Sequence, residues 1–235
     1  MISFRLFSAP LLYCLLVMLM FGSFPQSNDT ATSYPVLTRE LFEAVRDGSV
    51  DRVARLLEAD PAQVNARDDQ GSTPLIHAAM YGDEAVVRLL LEKGADPNAK
   101  NDTGVTALMQ VTNSVAKARE LLEAGAEVNA QSGIGNTPLI RAAVFWDGMP
   151  LVRLLLEHHA DVNLGNCYGD SPLIAAAISG NVDTLRLLLD RGAKTDVDLP
   201  LHPVDRNGQP LHPVFSGGQS ALMWSAFLGH EDAVR

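Results

Sequence analysis

Two kinds of apolar run alternate along most of this chain, and both have the spacing of helices that pack on neighbours. The first kind is TPLIHAAMYG from Thr73, and the second is EAVVRLLLEKG, which follows Asp83. Threonine followed by proline predicts a helix start. Gly82 predicts a helix end with a left-handed backbone, and Gly94 predicts the end of the second helix. The second run is too apolar to be stable alone, so it predicts a helix pair that stacks on its neighbours.

The helix pair recurs, and each copy begins at a threonine or a serine. The spacings between successive copies are 35, 33, 31, 34 and 49 residues. The first copy is charged and lacks the TPL sequence, which predicts a terminal cap, and the last copy stops within its second helix. Either the natural chain is longer or the array ends there. The copies begin at Thr38, Thr73, Thr106, Thr137, Ser171 and Ser220.

The shared pattern, TPL-x-x-AA followed by G-x-x-x-x-V-x-x-LLL-x-x-GAD-x-N, resembles the ankyrin repeat, whose unit has about 33 residues. The resemblance covers residues 38–235, as about six units with a long insert at 194–219 and an incomplete last unit. It implies an all-α solenoid of antiparallel helix pairs with hairpin-like turns that project sideways. It also implies an extended concave face that binds another protein.

The chain departs from the family pattern at three kinds of position. The family has a histidine after TPL that links neighbouring turns, and we expect apolar packing to replace that link here. In the third unit Thr112 replaces the second alanine, and this unit is two residues short between its helices. His159 replaces a helix-ending glycine, which predicts a non-glycine residue with positive φ. The histidine position holds Ile76, Met109, Ile140, Ile174 and Met223.

The first 24 residues predict an export signal. Arg5 precedes the uncharged stretch APLLYCLLVMLMFGSF at residues 9–24, which as a helix would be about 24 Å long and too short for a bilayer core of about 30 Å. We expect a periplasmic or secreted protein. The signal has no clear cleavage site, so a short N-terminal anchor is the alternative and would be its only membrane contact. Residues 25–37 are polar and read as a linker.

The charge and the cysteines narrow the classes of partner. The chain has 18 Lys and Arg against 28 Asp and Glu, for a net charge of −10. Nucleic acid and anionic membrane surfaces would be repelled by such a surface. Cys14 lies in the signal, which leaves Cys167 without a disulfide partner after cleavage. We expect a monomer that binds a protein and no cofactor.

Residues 200–219 contain two similar ten-residue sequences in tandem, PLHPVDRNGQ and PLHPVFSGGQ. Each carries one histidine, which raises the hypothesis of a metal-binding site. His202 and His212 could bind a metal with nearby aspartates, but each is followed by proline and ten residues separate them. We therefore favour a tolerated loop or a partner contact, because long loops add little closure entropy. Cys167 near His158 or His159 is the weakest catalytic alternative. The chain shows no catalytic motif, so we predict no enzyme.

The turns and the ends of the first helices predict the binding surface. Exposed aromatic side chains on a rigid concave face mark binding sites. We expect four aromatic residues to lie on one side of this chain, namely Tyr81, Phe145, Trp146 and Tyr168. An extra residue after Phe145 should push Trp146 outward. We predict an interaction scaffold; the alternatives are an accessory or inhibitory subunit that masks an enzyme, and a protein with a metal-binding or catalytic loop. The predicted contacts are Asp69, Gln70, Met80, Tyr81, Asp102, Asn113, Asn136, Phe145, Trp146, Tyr168 and Asp170.

Overall fold

The computed structural model describes residues 36–112, 114–195 and 220–230, and this part of the chain is helical without a strand. The first unit contains α1 and α2, followed by a 3-10 turn at Pro61–Asn65. Later units each contribute one helix pair, and the last contributes α11. The helices are α1 Val36–Arg46, α2 Val50–Ala59, α3 Pro74–Tyr81, α4 Glu84–Glu92, α5 Ala107–Gln110, α6 Val115–Glu123, α7 Pro138–Val144, α8 Met149–Glu157, α9 Pro172–Ser179, α10 Val182–Asp190 and α11 Ala221–Leu228.

The helices stack in two layers, which confirms the predicted all-α solenoid. The inner layer consists of the first helix of each pair, and each inner helix packs on the next. The outer layer contains α2, α4, α6, α8 and α10 in the same order. Each outer helix buries one leucine completely, or nearly so, against its neighbours. These leucines are Leu57, Leu90, Leu121, Leu155 and Leu188.

The predicted threonine and serine caps are present in most units. The hydroxyl of Thr137 accepts a hydrogen bond from the Ile140 amide at 3.1 Å, and Thr73 and Ser171 cap their helices in the same way. Thr106 makes no cap hydrogen bond, and its buried hydroxyl has no partner within the described residues. The shortened third unit therefore lacks the cap that its sequence predicts.

The shortened unit leaves its inner helix, α5, with only four residues. Two basic side chains from other helices bind backbone carbonyls around it. The Lys117 ammonium donates to the carbonyls of Ala79 at 2.9 Å and Gly82 at 3.1 Å, at the end of α3. The Arg141 guanidinium donates to the Met109 carbonyl in α5. Carbonyls at helix ends lack partners within the helix, so these bonds satisfy them from outside.

Gly82 ends α3, but not through the left-handed backbone that the sequence predicts. Its φ is −79° and its ψ is 169°, which is an extended conformation open to any residue. The glycine is needed for close approach, because a Cβ there would lie 3.0 Å from the Ala78 carbonyl oxygen and 3.2 Å from that of Val45. Gly94, which the sequence predicts to end the next helix, has the left-handed backbone instead, with a φ of 90°.

Asparagine side chains join the outer ends of successive units. Each donates its amide group to the carbonyl of the residue two positions after the end of the next outer helix. Each also accepts from a backbone amide two residues further on. The donor–acceptor pairs are Asn65 with Gly94 and Asp96, Asn98 with Gly125 and Glu127, Asn129 with His159 and Asp161, and Asn163 with Gly192 and Lys194. These bonds fix the stacking from one unit to the next.

His159 has a φ of 64°, the only non-glycine residue with positive φ in the described part of the chain, as its sequence position predicts. We expect His159→Gly to raise the free energy of unfolding by about 0.5–1 kcal/mol, because glycine removes the strain of a left-handed side-chain residue and loses only part of that gain to chain entropy. Chemical denaturation measures the change. The matched control is Gly125→Ala, at the equivalent position with a φ of 90°, which should be destabilising. A destabilised His159→Gly would contradict the strain argument.

Several predictions fall outside the described residues. The export signal, most of the linker, the duplicated phrase with His202 and His212, and Asn113 all lie there, so those interpretations stay predictions. Among the helices that the structure does describe, none has the length and apolar character needed to cross a membrane.

Candidate functional site

Four turns at the N-terminal ends of the inner helices form one continuous row. The backbone amide of Asp102 donates to the Gln70 carbonyl at 3.0 Å, which joins the first turn to the second. Gly133 donates to Thr103 at 2.8 Å, and Cys167 donates to Ile134 at 2.9 Å. The tips of the turns are therefore held in register by backbone hydrogen bonds, and their side chains are displayed from a rigid edge.

Each turn is folded internally by one side-chain oxygen. In the first turn the Asp68 carboxylate accepts from the amides of Gln70 at 2.9 Å and Ser72 at 2.8 Å. Asn101 and Asn166 do the same in the second and fourth turns. Aspartate and asparagine favour such turns because their short side chains reach the backbone two residues on.

A histidine–aspartate pair that the sequence pattern did not predict stiffens the first turn further. His77 Nε2 lies 2.7 Å from Asp68 Oδ2, and the imidazole packs edge-on against Phe42 with ring centroids 4.9 Å apart. His77 and Asp68 belong to the same unit, so their bond does not link neighbouring turns, and the replacement of that link by apolar packing stays a prediction. The sequence signal was a histidine on α3 behind an aspartate that begins a turn.

The pKa of Asp68 reflects this network. Burial raises it, but the hydrogen bond from His77 and those from the amides of Ser72 and Gln70 lower it more, so it lies below its ordinary value. The carboxylate therefore remains ionised in the folded turn at neutral pH. Asp68 organises the turn and the inner helix behind it, and its neighbour Asp69 is exposed.

The predicted turn contacts divide into exposed and buried residues. Asp69, Gln70 and Asp102 are exposed at the tips, as predicted. Asn136 was a wrong choice for a partner contact, because it is buried and accepts from the Asn166 side chain at 2.8 Å. Its side-chain oxygen links two neighbouring turns through this bond and is not accessible to a partner.

The fourth turn carries two half-buried side chains, Tyr168 and Asp170. Burial raises the pKa of Asp170, and a hydrogen bond from Asn166 partly offsets the rise. Burial also raises the pKa of Tyr168. These two residues are less accessible than the tips of the first two turns, so a partner could contact only part of each side chain.

The ends of two inner helices expose large aromatic side chains. Tyr81 closes α3 and is 47% exposed, and Trp146 follows α7 and is 71% exposed. Met80 and Phe145 beside them are half-buried. The outward placement of Trp146 agrees with the extra residue in its helix connection. We call Tyr81 and Trp146 the aromatic edge.

The backbone at Trp146 is fixed by contacts to other residues. Its carbonyl accepts a hydrogen bond from the Asn181 side chain in the next unit. Gly148 allows the tight connection, because a Cβ there would collide with the Ala142 carbonyl oxygen. The indole is therefore presented from an ordered backbone, so binding it would cost little chain entropy.

The aromatic residues lie on two sides, contrary to the expectation that they share one side. Tyr168 sits before the start of α9, whereas Tyr81 and Trp146 sit at the C-terminal ends of their inner helices. An inner helix of eight residues, such as α3, is about 12 Å long. The concave face therefore has two edges, the row of turn tips and the aromatic edge, with the inner helices between them.

The structure does not favour chemistry at Cys167. Cys167 is an exposed residue at a turn tip, but the turn partly shields its thiol from water, and this desolvation together with the charge of Asp170 raises the pKa of the thiol. A nucleophilic cysteine needs the opposite shift. In the part of the chain that the structure describes, histidine, cysteine and acidic side chains form no group that could hold a metal ion.

Comparison with known proteins identifies the family. The model of the family described as ankyrin repeats (3 copies) matches residues 41–132 and 112–200, which together cover more than half of the chain. The protein belongs to the ankyrin repeat family. Ankyrin repeats are generally protein–protein interaction modules and typically lack catalytic activity.

Individual relatives share short parts of their sequences with this chain. It is 40% identical over 80 residues to the transient receptor potential cation channel subfamily A member 1 homolog of Caenorhabditis elegans, which covers 34% of this chain and 7% of that protein. It is 40% identical over 74 residues to ankyrin repeat and SAM domain-containing protein 6 of Rattus norvegicus, covering 31% and 8%. A putative ankyrin repeat-containing protein of Treponema pallidum (strain Nichols) is 39% identical over 72 residues, covering 31% and 24%.

Proposed function

We propose that this chain is an interaction scaffold that binds a partner protein across its concave face, with the aromatic edge as the main contact. The observation that carries the proposal is the exposure of Trp146, at 71%, from a backbone that neighbouring residues hold in place. A large indole in water is unfavourable in the free protein. Its burial by a partner would therefore contribute strongly to binding.

The arrangement of the two edges supports a contact that spans the concave face. Asp69, Gln70 and Asp102 offer polar groups at the turn tips, and Tyr81 and Trp146 offer apolar area about one helix length away. Binding energy in protein interfaces concentrates in tryptophan, tyrosine and arginine, surrounded by contacts that exclude water. The aromatic edge has the residue types that carry binding energy, and the turn tips have the position of the surrounding contacts that exclude water.

Capture of partners by the purified protein tests the proposal. The full chain and the double variant Tyr81→Ala/Trp146→Ala are immobilised in parallel, and proteins retained from the source cells are identified. We expect a partner retained by the wild type and lost by the double variant, since each such side chain contributes about 2 kcal/mol or more at an interface centre. The control is Leu189→Ala, because Leu189 is 45% exposed on the outer helix α10.

Circular dichroism of all three proteins checks that helicity is unchanged. A partner retained equally by the double variant would contradict the proposed surface. If the captured partner is an enzyme, its activity with and without the scaffold distinguishes simple tethering from the masking role. Loss of activity that depends on Trp146 would favour the accessory or inhibitory subunit.

A further inference from the structure

We infer that the partner presents an extended basic segment whose lysine or arginine side chains lie on Tyr81 and Trp146, and this inference rests on the proposed function. Each exposed ring is followed closely by an exposed carboxylate, Asp83 after Tyr81 and Asp147 after Trp146. The face of an aromatic ring attracts a cation, and a nearby carboxylate adds direct charge attraction. The same combination therefore occurs twice along one edge.

Two basic side chains close to this edge, Lys117 and Arg141, are bonded to backbone carbonyls within the array. Lys117 bonds the carbonyls of Ala79 and Gly82, and its ammonium acts on Asp83 electrostatically without forming an ion pair. Arg141 bonds the Met109 carbonyl and the Gln110 side chain. Among the described residues, the ion pairs include neither Asp83 nor Asp147. The exposed charges that follow the two rings in the sequence, Asp83 and Asp147, are therefore negative and lie outside the ion pairs of the described residues.

The opposite edge of the concave face has the same sign. Asp69 and Asp102 are exposed at neighbouring turn tips, and the chain as a whole carries a net charge of −10. A basic segment lying on the aromatic edge would thus be attracted from both sides. An acidic segment would be repelled by the same groups, so the charge pattern selects against it.

The spacing of the two rings sets the spacing of the partner's cations. Tyr81 and Trp146 belong to α3 and α7, which are separated by the single inner helix α5. Packed helices lie about 8–10 Å apart, so the rings are about 16–20 Å apart. An extended chain rises about 3.3 Å per residue, which places the two cations about five or six residues apart.

The first unit has no ring at this edge. The buried residues Leu41, Ala44 and Val45 of α1 match Leu75, Ala78 and Ala79 of α3, so Asp47 occupies the position that Tyr81 occupies in the second unit. The two cations of the partner segment should therefore lie on α3 and α7.

Titration with synthetic peptides tests the inference. The probes are glycine–serine peptides with two lysines about six positions apart, the same peptide with two glutamates, and one with the two lysines adjacent. Binding to the full chain is followed by the NMR signal of the Trp146 indole N–H. We expect the spaced lysine peptide to bind most tightly and the glutamate peptide to give no shift.

Leucine variants distinguish the contribution of the aromatic ring face to binding from the contribution of its apolar surface area. Trp146→Leu keeps an apolar side chain but removes the aromatic face, and Tyr81→Leu does the same. With a tyrosine-ring or backbone amide signal as the readout, each should weaken the spaced lysine peptide about tenfold. Added salt should weaken binding to the wild type.

Three outcomes would overturn the inference. These are equal binding of the lysine and glutamate peptides, unchanged affinity in both leucine variants, and no shift of the indole by any peptide. The proposed function would survive them if capture still retained a partner through Tyr81 and Trp146. Failure of the capture itself, with peptide binding intact, would instead contradict the scaffold role.

Discussion

Replacing Asp68 by alanine is expected to lower the free energy of unfolding by about 3 kcal/mol, whereas Asp69→Ala should change it by less than about 0.5 kcal/mol. The two aspartates are adjacent, so the comparison holds the local sequence nearly constant. Asp68 accepts hydrogen bonds from two backbone amides and from His77, at 2.8, 2.9 and 2.7 Å. Asp69 is exposed and lies outside this network.

The large effect at Asp68 follows from what its removal leaves behind. The amides of Gln70 and Ser72 would lose their acceptor, and His77 would lose its partner beside Phe42. His77 Nδ1 is already buried without a hydrogen bond in the described part of the chain. The Ser72 amide and His77 Nε2 are part-buried, so leaving them without an acceptor costs more than their hydrogen bonds gained.

Urea denaturation of both variants measures the difference, and its pH dependence gives a second readout. The pKa of Asp68 in the folded protein lies below its ordinary value of 3.8. Its contribution is therefore complete above that value and is lost as the pH falls through the lowered folded pKa. The gap between wild type and Asp68→Ala should narrow in acid. Equal destabilisation by both aspartate variants would contradict the network.

The repeated pattern predicted the fold well because its signals are local. A hydroxyl residue before proline marks the start of α3, and a left-handed residue at Gly94 marks the end of α4. These signals act within one turn of helix and need no knowledge of the neighbours. The positive φ of His159 was predictable for the same reason, since it stands where the other units have glycine.

The polar contacts between units were not predicted, because they depend on how the units stack. Lys117 reaches carbonyls 35 and 38 residues away, and Arg141 reaches one 32 residues away. Nothing in the local sequence distinguishes such a side chain from an exposed one on the same helix. His77 and Asp68 are only nine residues apart, yet their contact depends on the path of the turn between them.

The candidate surface was predicted in part. The exposure of Trp146 followed from an extra residue in its helix connection, which is a local feature. The burial of Asn136 did not follow from its own turn, because it depends on the next turn, where Asn166 donates to it as Asn101 donates to the equivalent buried Ser72. A position in a repeat therefore predicts which edge a residue occupies, but the neighbouring unit decides whether its side chain is accessible.

Replacing Lys117 by methionine is expected to lower the free energy of unfolding by about 2 kcal/mol. Methionine fills a similar volume, so the loss would come from the hydrogen bonds rather than from a cavity. The ammonium donates to two carbonyls at the end of α3, at 2.9 and 3.1 Å, and Lys117 itself is buried. Burial lowers its pKa, which offsets part of what the two bonds contribute.

The matched control for Lys117→Met is Lys100→Met. Lys100 is exposed and donates to the Gln131 carbonyl at 3.3 Å, so its loss should change the free energy of unfolding by less than about 0.5 kcal/mol. Thermal and urea denaturation of the two variants would be measured under the same conditions. If Lys117→Met were neutral or stabilising, desolvation of the ammonium would outweigh its two bonds, and α3 would not depend on the next unit for its C-terminal end. A loss confined to Lys117→Met would show that a basic side chain compensates for the shortened unit by capping its neighbour.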